Sequence, residues 1–183
     1  LQRPESFARW HADTPRGFRF AVKGSRFITH MKQLRDVRVP VANFFASGVL
    51  LLEEKLGPLL WQFSDRMRFN EERFRAFLEL LPRSSFDAAQ LATEHDQRLD
   101  ARAAFDVDID RPIRHAIEVR NSTFMNDAFF DLLREYNVAL VFSDIYDRWP
   151  GLETYDVCQE PTDPHGTPGP QPPPVTQIEL RPA

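Results

Sequence analysis

The chain has 183 residues, of which 42% are hydrophobic, 12% aromatic and 27% charged, with a formal net charge of -4. Those proportions exclude a disordered or collagenous chain and require a packed core. The longest purely aliphatic run, Val49 to Leu52, is far short of the roughly 20 apolar residues that cross a bilayer. The single cysteine, Cys158, excludes an internal disulfide and a four-cysteine metal site and fits a reducing, cytoplasmic setting.

Glu5 to Ala12 has helical character. The chain opens on Leu1 rather than Met and runs straight into this helix, so a natural start further upstream is expected. Phe18 to Gly24 is the first strand candidate, and Val41 to Leu52 reads as a helix weakened by Gly48, since a mid-helix glycine costs about 1 kcal/mol relative to alanine. Pro58 to Ser64 is the second strand candidate. The clearest helix follows, with Phe74, Phe77, Leu78 and Leu81 at i, i+3, i+4 and i+7 on one face. Asn70 can cap it, Glu71 and Glu72 suit the positive end of its dipole, and Phe69 with Phe74 matches a hydrophobic staple.

A second helix is expected after Ser84 or Ser85, with Ala88, Leu91, Ala92, His95 and Leu99 inward. His115 to Arg120 and Val138 to Asp144 are the third and fourth strands, separated by a helix from about Asn126 to Tyr136. Short apolar runs alternating with helical period are the written form of an α/β protein with parallel strands. Eight of the fifteen prolines fall in residues 158–183. Residues 1–152 are therefore read as one α/β domain and 153–183 as a Pro/Gly-rich, extended and disordered tail with no core role.

Parallel strands share a direction, so their carboxyl ends share one edge. Side chains alternate between the two faces of each strand. Phe18, Phe20 and Val22, then Leu59, Trp61 and Phe63, then Ile117 and Val119 form bulky columns that must meet helices. The opposite columns are mixed and carry Lys23, Gln62, Glu118 and Arg120 late in their strands. Asp144 closes the fourth strand, with an ambiguous facing. In barrels and open α/β sheets alike, ligands sit at the carboxyl edge.

From Arg16 to Arg38 there are seven basic residues against Asp36 alone, a cationic stretch on an acidic protein that can draw an anion. Lys32, Arg35 and Arg38 are read as a solvated face, while Lys23 lies in the crevice-facing column and Arg26 begins the loop above it. Arg120 can hold a carboxylate or phosphate through two parallel hydrogen bonds, Lys23 can act as a point charge and Gln62 can fix orientation. Glu118 is the candidate base. It is equally readable as a partner that holds Lys23 or Arg120 in an ion-pair network with no catalytic duty. His30, just above the crevice, could shuttle a proton or bond a loop carbonyl.

His115, at the other end of its strand, is read as structural, and His95 as a core histidine. Asp96, Arg98 and Arg102 read as surface or helix-end pairs, and His11 and His165 carry no context. No metal-ligand spacing, phosphate-binding glycine loop or nucleophile elbow is present. Glu118 and Asp144 could share a hard cation, but the cations around them oppose it. No cofactor is indicated. The partner expected from the charge pattern is a small anion and no membrane; the alternatives are a non-catalytic module that binds nucleic acid through the Arg16 to Arg38 stretch or binds a protein partner, or an inactive fragment.

The segments Phe20-Ala-Val-Lys23 through Arg26 to Thr29-His30, Lys55-Leu-Gly-Pro58 through Gln62, His95-Asp96 through Arg98-Leu99, His115 through Glu118 and Arg120, and Val138 to Asp144 before Trp149-Pro150 resemble the YecE-like family, domain of unknown function number 72. The resemblance spans nearly all of residues 1–152. It implies a partial TIM-type barrel, α/β with about four parallel strands and flanking helices. It puts Lys23, Arg26, His30, Gln62, Glu118, Arg120 and Asp144 at the family's motif positions, and it implies no particular reaction. A full member carries further strands on both sides of this region, so a truncated member is expected, with unpaired sheet edges.

Overall fold

The computed structural model describes residues 2–141. Asp144, Trp149 and the proline-rich segment lie outside the described residues. Within them the element order is α1 (Pro4–Asp13), β1 (Phe20–Lys23), a π-helical turn (Phe27–Met31), α2 (Arg38–Ala46), a 3-10 segment (Val49–Lys55), β2 (Leu56–Gln62), α3 (Glu71–Leu80), α4 (Ser85–Ala92), β3 (His115–Glu118), a 3-10 turn (Ser122–Phe124), α5 (Asp127–Glu135) and β4 (Ala139–Leu140).

The four strands form one sheet in the order β1-β2-β3-β4, and every neighbouring pair is parallel. Sequential parallel strands joined by helical crossovers are the arrangement of an arc of a TIM-type barrel. No helix among the described residues is long and apolar enough to cross a membrane.

Capping residues set the helix starts. The Asn70 side chain accepts from Arg73 N at 2.9 Å, Ser84 accepts from Asp87 N at 3.1 Å, and Asn126 accepts from Phe129 N at 3.1 Å. Each satisfies an otherwise orphaned amide and is worth about 1 kcal/mol. The staple ahead of α3 is present, with the Phe69 and Phe74 rings edge to face at 6.0 Å.

Two expected helices are shorter in the structure. The one beginning at Val41 breaks at Gly48, whose φ of +100° suits a residue without Cβ, and the chain continues as the 3-10 segment. The helix after Ser84 stops at Ala92. Leu99 is nonetheless buried, delivered by the following loop. That loop is tied to α2 by Asn43, which donates to Asp96 Oδ2 at 3.0 Å and accepts from Asp96 N at 2.9 Å. The Arg98 guanidinium, then Asn43, hold the Asp96 carboxyl well below the usual range.

The second and third bulky columns go where alternation puts them, but in the first Phe20 and Val22 are only partly buried and Phe18, outside β1, is 37% exposed, because that strand lies at the edge of the sheet. Leu59, Trp61, Phe63 and Ile117 are fully buried, in contact with the helices on that face. Phe63 meets Phe74 and Phe77 edge to face, and Phe74, Phe124 and Phe129 close the cluster. This aromatic layer packs β2 against α3 and the segment after β3, which matters because the polar residues at the strand ends depend on it.

Candidate functional site at the carboxyl edge

β2 and β3 pair in register, so Gln62 lies directly opposite Glu118. Lys23 pairs with Leu60, two residues earlier on β2, so its long side chain must reach forward to the next layer. It does so: Lys23 Nζ donates to Gln62 Oε1 at 2.6 Å. Gln62 Nε2 donates to Glu118 Oε2 at 2.7 Å, and Arg120 Nε donates to Glu118 Oε1 at 2.9 Å. Three side chains from three strands and Arg120, two residues past β3, thus form one continuous chain of hydrogen bonds.

The orientation of the Gln62 amide follows from its neighbours. An ammonium can only donate and a carboxylate can only accept, so the amide oxygen must face Lys23 and its nitrogen Glu118. Glu118 is buried, 6% exposed, and both of its oxygens accept donors. It is therefore arranged as a holder of Gln62 and Arg120. Lys23 is exposed, and the Arg120 side chain keeps 34% of its surface accessible.

His30 lies above them on the π-helical turn. That turn carries an i to i+5 bond from Lys32 N to Phe27 O at 2.8 Å and is followed by Gln33, Leu34 and Asp36, all at positive φ. Left-handed backbone at non-glycine residues costs on the order of 1–3 kcal/mol each. The burial of Ile28, Leu34 and Val37 helps to hold the loop in it. Such strain clusters at functional sites.

The His30 pKa is lowered by burial first, then by Arg26, Lys23 and Arg120, with Asp65 opposing. The ring therefore sits in the positive field of all three cations, on the same rim. Thr29 Oγ1 is 2.9 Å from His30 Nδ1.

Lys23, Gln62, Glu118 and Arg120 are thus joined directly, and Arg26 and His30 share their electrostatic environment. Asp144 lies outside the described residues. Arg38 is exposed and forks onto Glu94 at 2.6 and 2.5 Å, which removes it to a surface pair.

Two positioning residues escaped the sequence reading. Asn121 Oδ1 accepts from Thr123 N and Thr123 Oγ1, while its Nδ2 donates to Asp65 O at 2.6 Å. Thr123 Oγ1 accepts from Phe69 N at 2.9 Å. Together they lock the loop after β3 to the loop after β2. An Asn directly after a strand and two residues before a Thr is an Asx-turn signal and could have revealed them.

The chain is an α/β protein whose parallel strands end in a cationic rim, in a partial TIM-type barrel. Residues 1–179 match the family described as "Protein of unknown function DUF72". The chain belongs to that family, the YecE-like one, and the match continues past residue 152. A DUF72 family protein from Thermotoga maritima shares 20% identity at a TM-score of 0.50, over 76% of this chain and 45% of that one. One from Enterococcus faecalis shares 21% at 0.49, over the same shares. The chain therefore spans less than half the length of these solved structures. No match is found among the curated proteins.

Proposed function

We propose that the carboxyl edge binds a small anion bearing a phosphate or carboxylate. Lys23, Arg26 and Arg120 neutralise its charge, Gln62 and His30 set its geometry, and Glu118, with Asp144, orients the cations or moves protons. The observation that carries this reading is the unbroken chain Lys23–Gln62–Glu118–Arg120. It links Lys23 of β1 with Arg120, just past β3, and part of each side chain is accessible, which supports a shared anion site.

Preorganised donors of this kind lose little entropy on binding, and Arg can meet an oxyanion with two parallel bonds. His30, held neutral near neutral pH, can accept a proton from a bound ligand.

The test is calorimetric titration of the full chain with inorganic phosphate and pyrophosphate. Saturable binding is expected. Arg120→Ala should weaken it about 10- to 100-fold, the loss of one or two charge-assisted hydrogen bonds. Because removing Arg120 also strips Glu118 of a partner, Arg120→Lys is the control: it keeps the charge, loses the fork, and should still weaken binding. Unchanged affinity in both variants would contradict the proposal. Broad nucleic-acid affinity with steep salt dependence, and none for the small anions, would replace it with a backbone-binding role.

A further inference from the structure

We propose that His11, Glu53 and Glu54 form a site for a divalent transition ion of the zinc type. It lies at the amino end of the strands and is separate from the carboxyl-edge rim. His11 comes from the last turn of α1 and the two glutamates from the 3-10 segment that leads directly into β2. One donor atom from each lies within 4.8 Å of both others.

The spacing also suits an ion. His11 Nε2 and Glu54 Oε2 are hydrogen-bonded at 3.3 Å, a contact that a cation between them would replace. Neighbouring donors around tetrahedral zinc, with bonds of about 2.0–2.2 Å, stand roughly 3.3–3.5 Å apart. An imidazole with two carboxylates is a donor set that zinc accepts, and the imidazole disfavours magnesium and calcium.

The framework behind the ligands is built. Lys55 is buried, 5% exposed, and its ammonium donates to the carbonyls of His11 and Thr14, which fastens the end of α1 to the segment that carries Glu53 and Glu54. Two cations face the cluster: Lys55, already committed to carbonyls, and Arg111, whose Nη2 is 3.7 Å from Glu53 Oε2. A dication would compete with Arg111 for Glu53. The side chains of His11 and Glu54 are 28% and 48% exposed, so the ion has an open path and water would complete its shell.

The test is calorimetric titration of the full chain with zinc, beside His11→Ala and Glu54→Gln. One saturating event is expected, weakened at least about tenfold by either substitution, since even the loss of an outer partner costs that much. A second readout leaves the chain unmodified: zinc should shift the His11 ring signals in a proton–nitrogen NMR spectrum. No saturating event, uptake equal in both variants, or unmoved His11 signals would each overturn the site.

Discussion

Trp61→Ala is expected to destabilise the fold by about 3–5 kcal/mol, the usual range for emptying a buried indole. Trp61 is fully buried and meets Phe77 edge to face at 5.2 Å and Phe44 at 5.4 Å. Its ring also covers Gly24, the residue that follows β1 and precedes the strained loop. A Cβ on Gly24 would stand 2.3 Å from Trp61 Cε3 and 2.5 Å from Cζ3, and a fully buried indole has nowhere to go. Gly24→Ala alone should therefore cost about 1–3 kcal/mol by overpacking.

The two changes should not add. With the indole gone, the methyl that Gly24→Ala introduces enters the vacated space, so the double variant should be more stable than the sum of the two losses by about 1 kcal/mol or more. Urea unfolding of the four proteins measures this coupling. Additivity within about 0.5 kcal/mol would mean that Gly24 does not rest on Trp61. Because Gly24 lies between Lys23 and Arg26, the same contact fixes the direction in which both cations leave β1.

Acid lability should trace to the same packing. Trp61 Nε1 donates to His115 Nδ1 at 3.1 Å, and His115 Nε2 is 2.7 Å from Pro82 O. Indole only donates and a carbonyl only accepts, so His115 is neutral with its proton on Nε2. A second proton on Nδ1 would point at the indole N–H. Burial is the largest cause of a pKa lowered to about 4, with Arg83 adding to it and the Pro82 carbonyl opposing.

Above pH ~6.5 both the folded and the unfolded ring are neutral, and His115 adds no pH dependence. As the pH falls from there toward 4, the unfolded chain takes up a proton that the folded chain refuses. Stability then drops by up to about 3 kcal/mol and levels off below pH 4. Urea midpoints at pH 7.5 and 4.5 should differ more for the unmodified chain than for His115→Gln, which keeps a polar side chain but cannot titrate. Equal pH dependence in the two would place the acid sensitivity elsewhere.

The strands and the polar column at their ends were legible in the sequence because both rest on simple periods. Alternation puts Leu59, Trp61 and Phe63 on one face and Gln62 on the other, and parallel pairing brings Gln62 to Glu118. The start of α3 was legible because Asn70 caps it and Phe74, Phe77 and Leu78 mark its buried face.

What depended on tertiary contact was hidden. Gln33, Leu34 and Asp36 carry left-handed backbone without a glycine to announce it. Leu99 is buried, yet it arrives by a loop and not by the helix its spacing suggested. The Asn43 link to Asp96 and the pairing of His11 with Glu54 join residues far apart in sequence, for which no local pattern exists. His115 was readable as structural from its place at the start of β3, but its partners Trp61 and Pro82 were not.

The most direct test of the shared rim is a proton–nitrogen NMR titration of the chain with inorganic phosphate, following the Gln62 side-chain amide and the His30 ring. Gln62 bridges Lys23 to Glu118, and His30 feels Lys23, Arg26 and Arg120 together. Both signals should therefore move along one saturation curve, with the His30 pKa rising as the anion offsets the cations around it. Stationary Gln62 and His30 signals, with shifts scattered over Arg16, Arg19 and Arg35, would show that the cations act separately and that no common site exists.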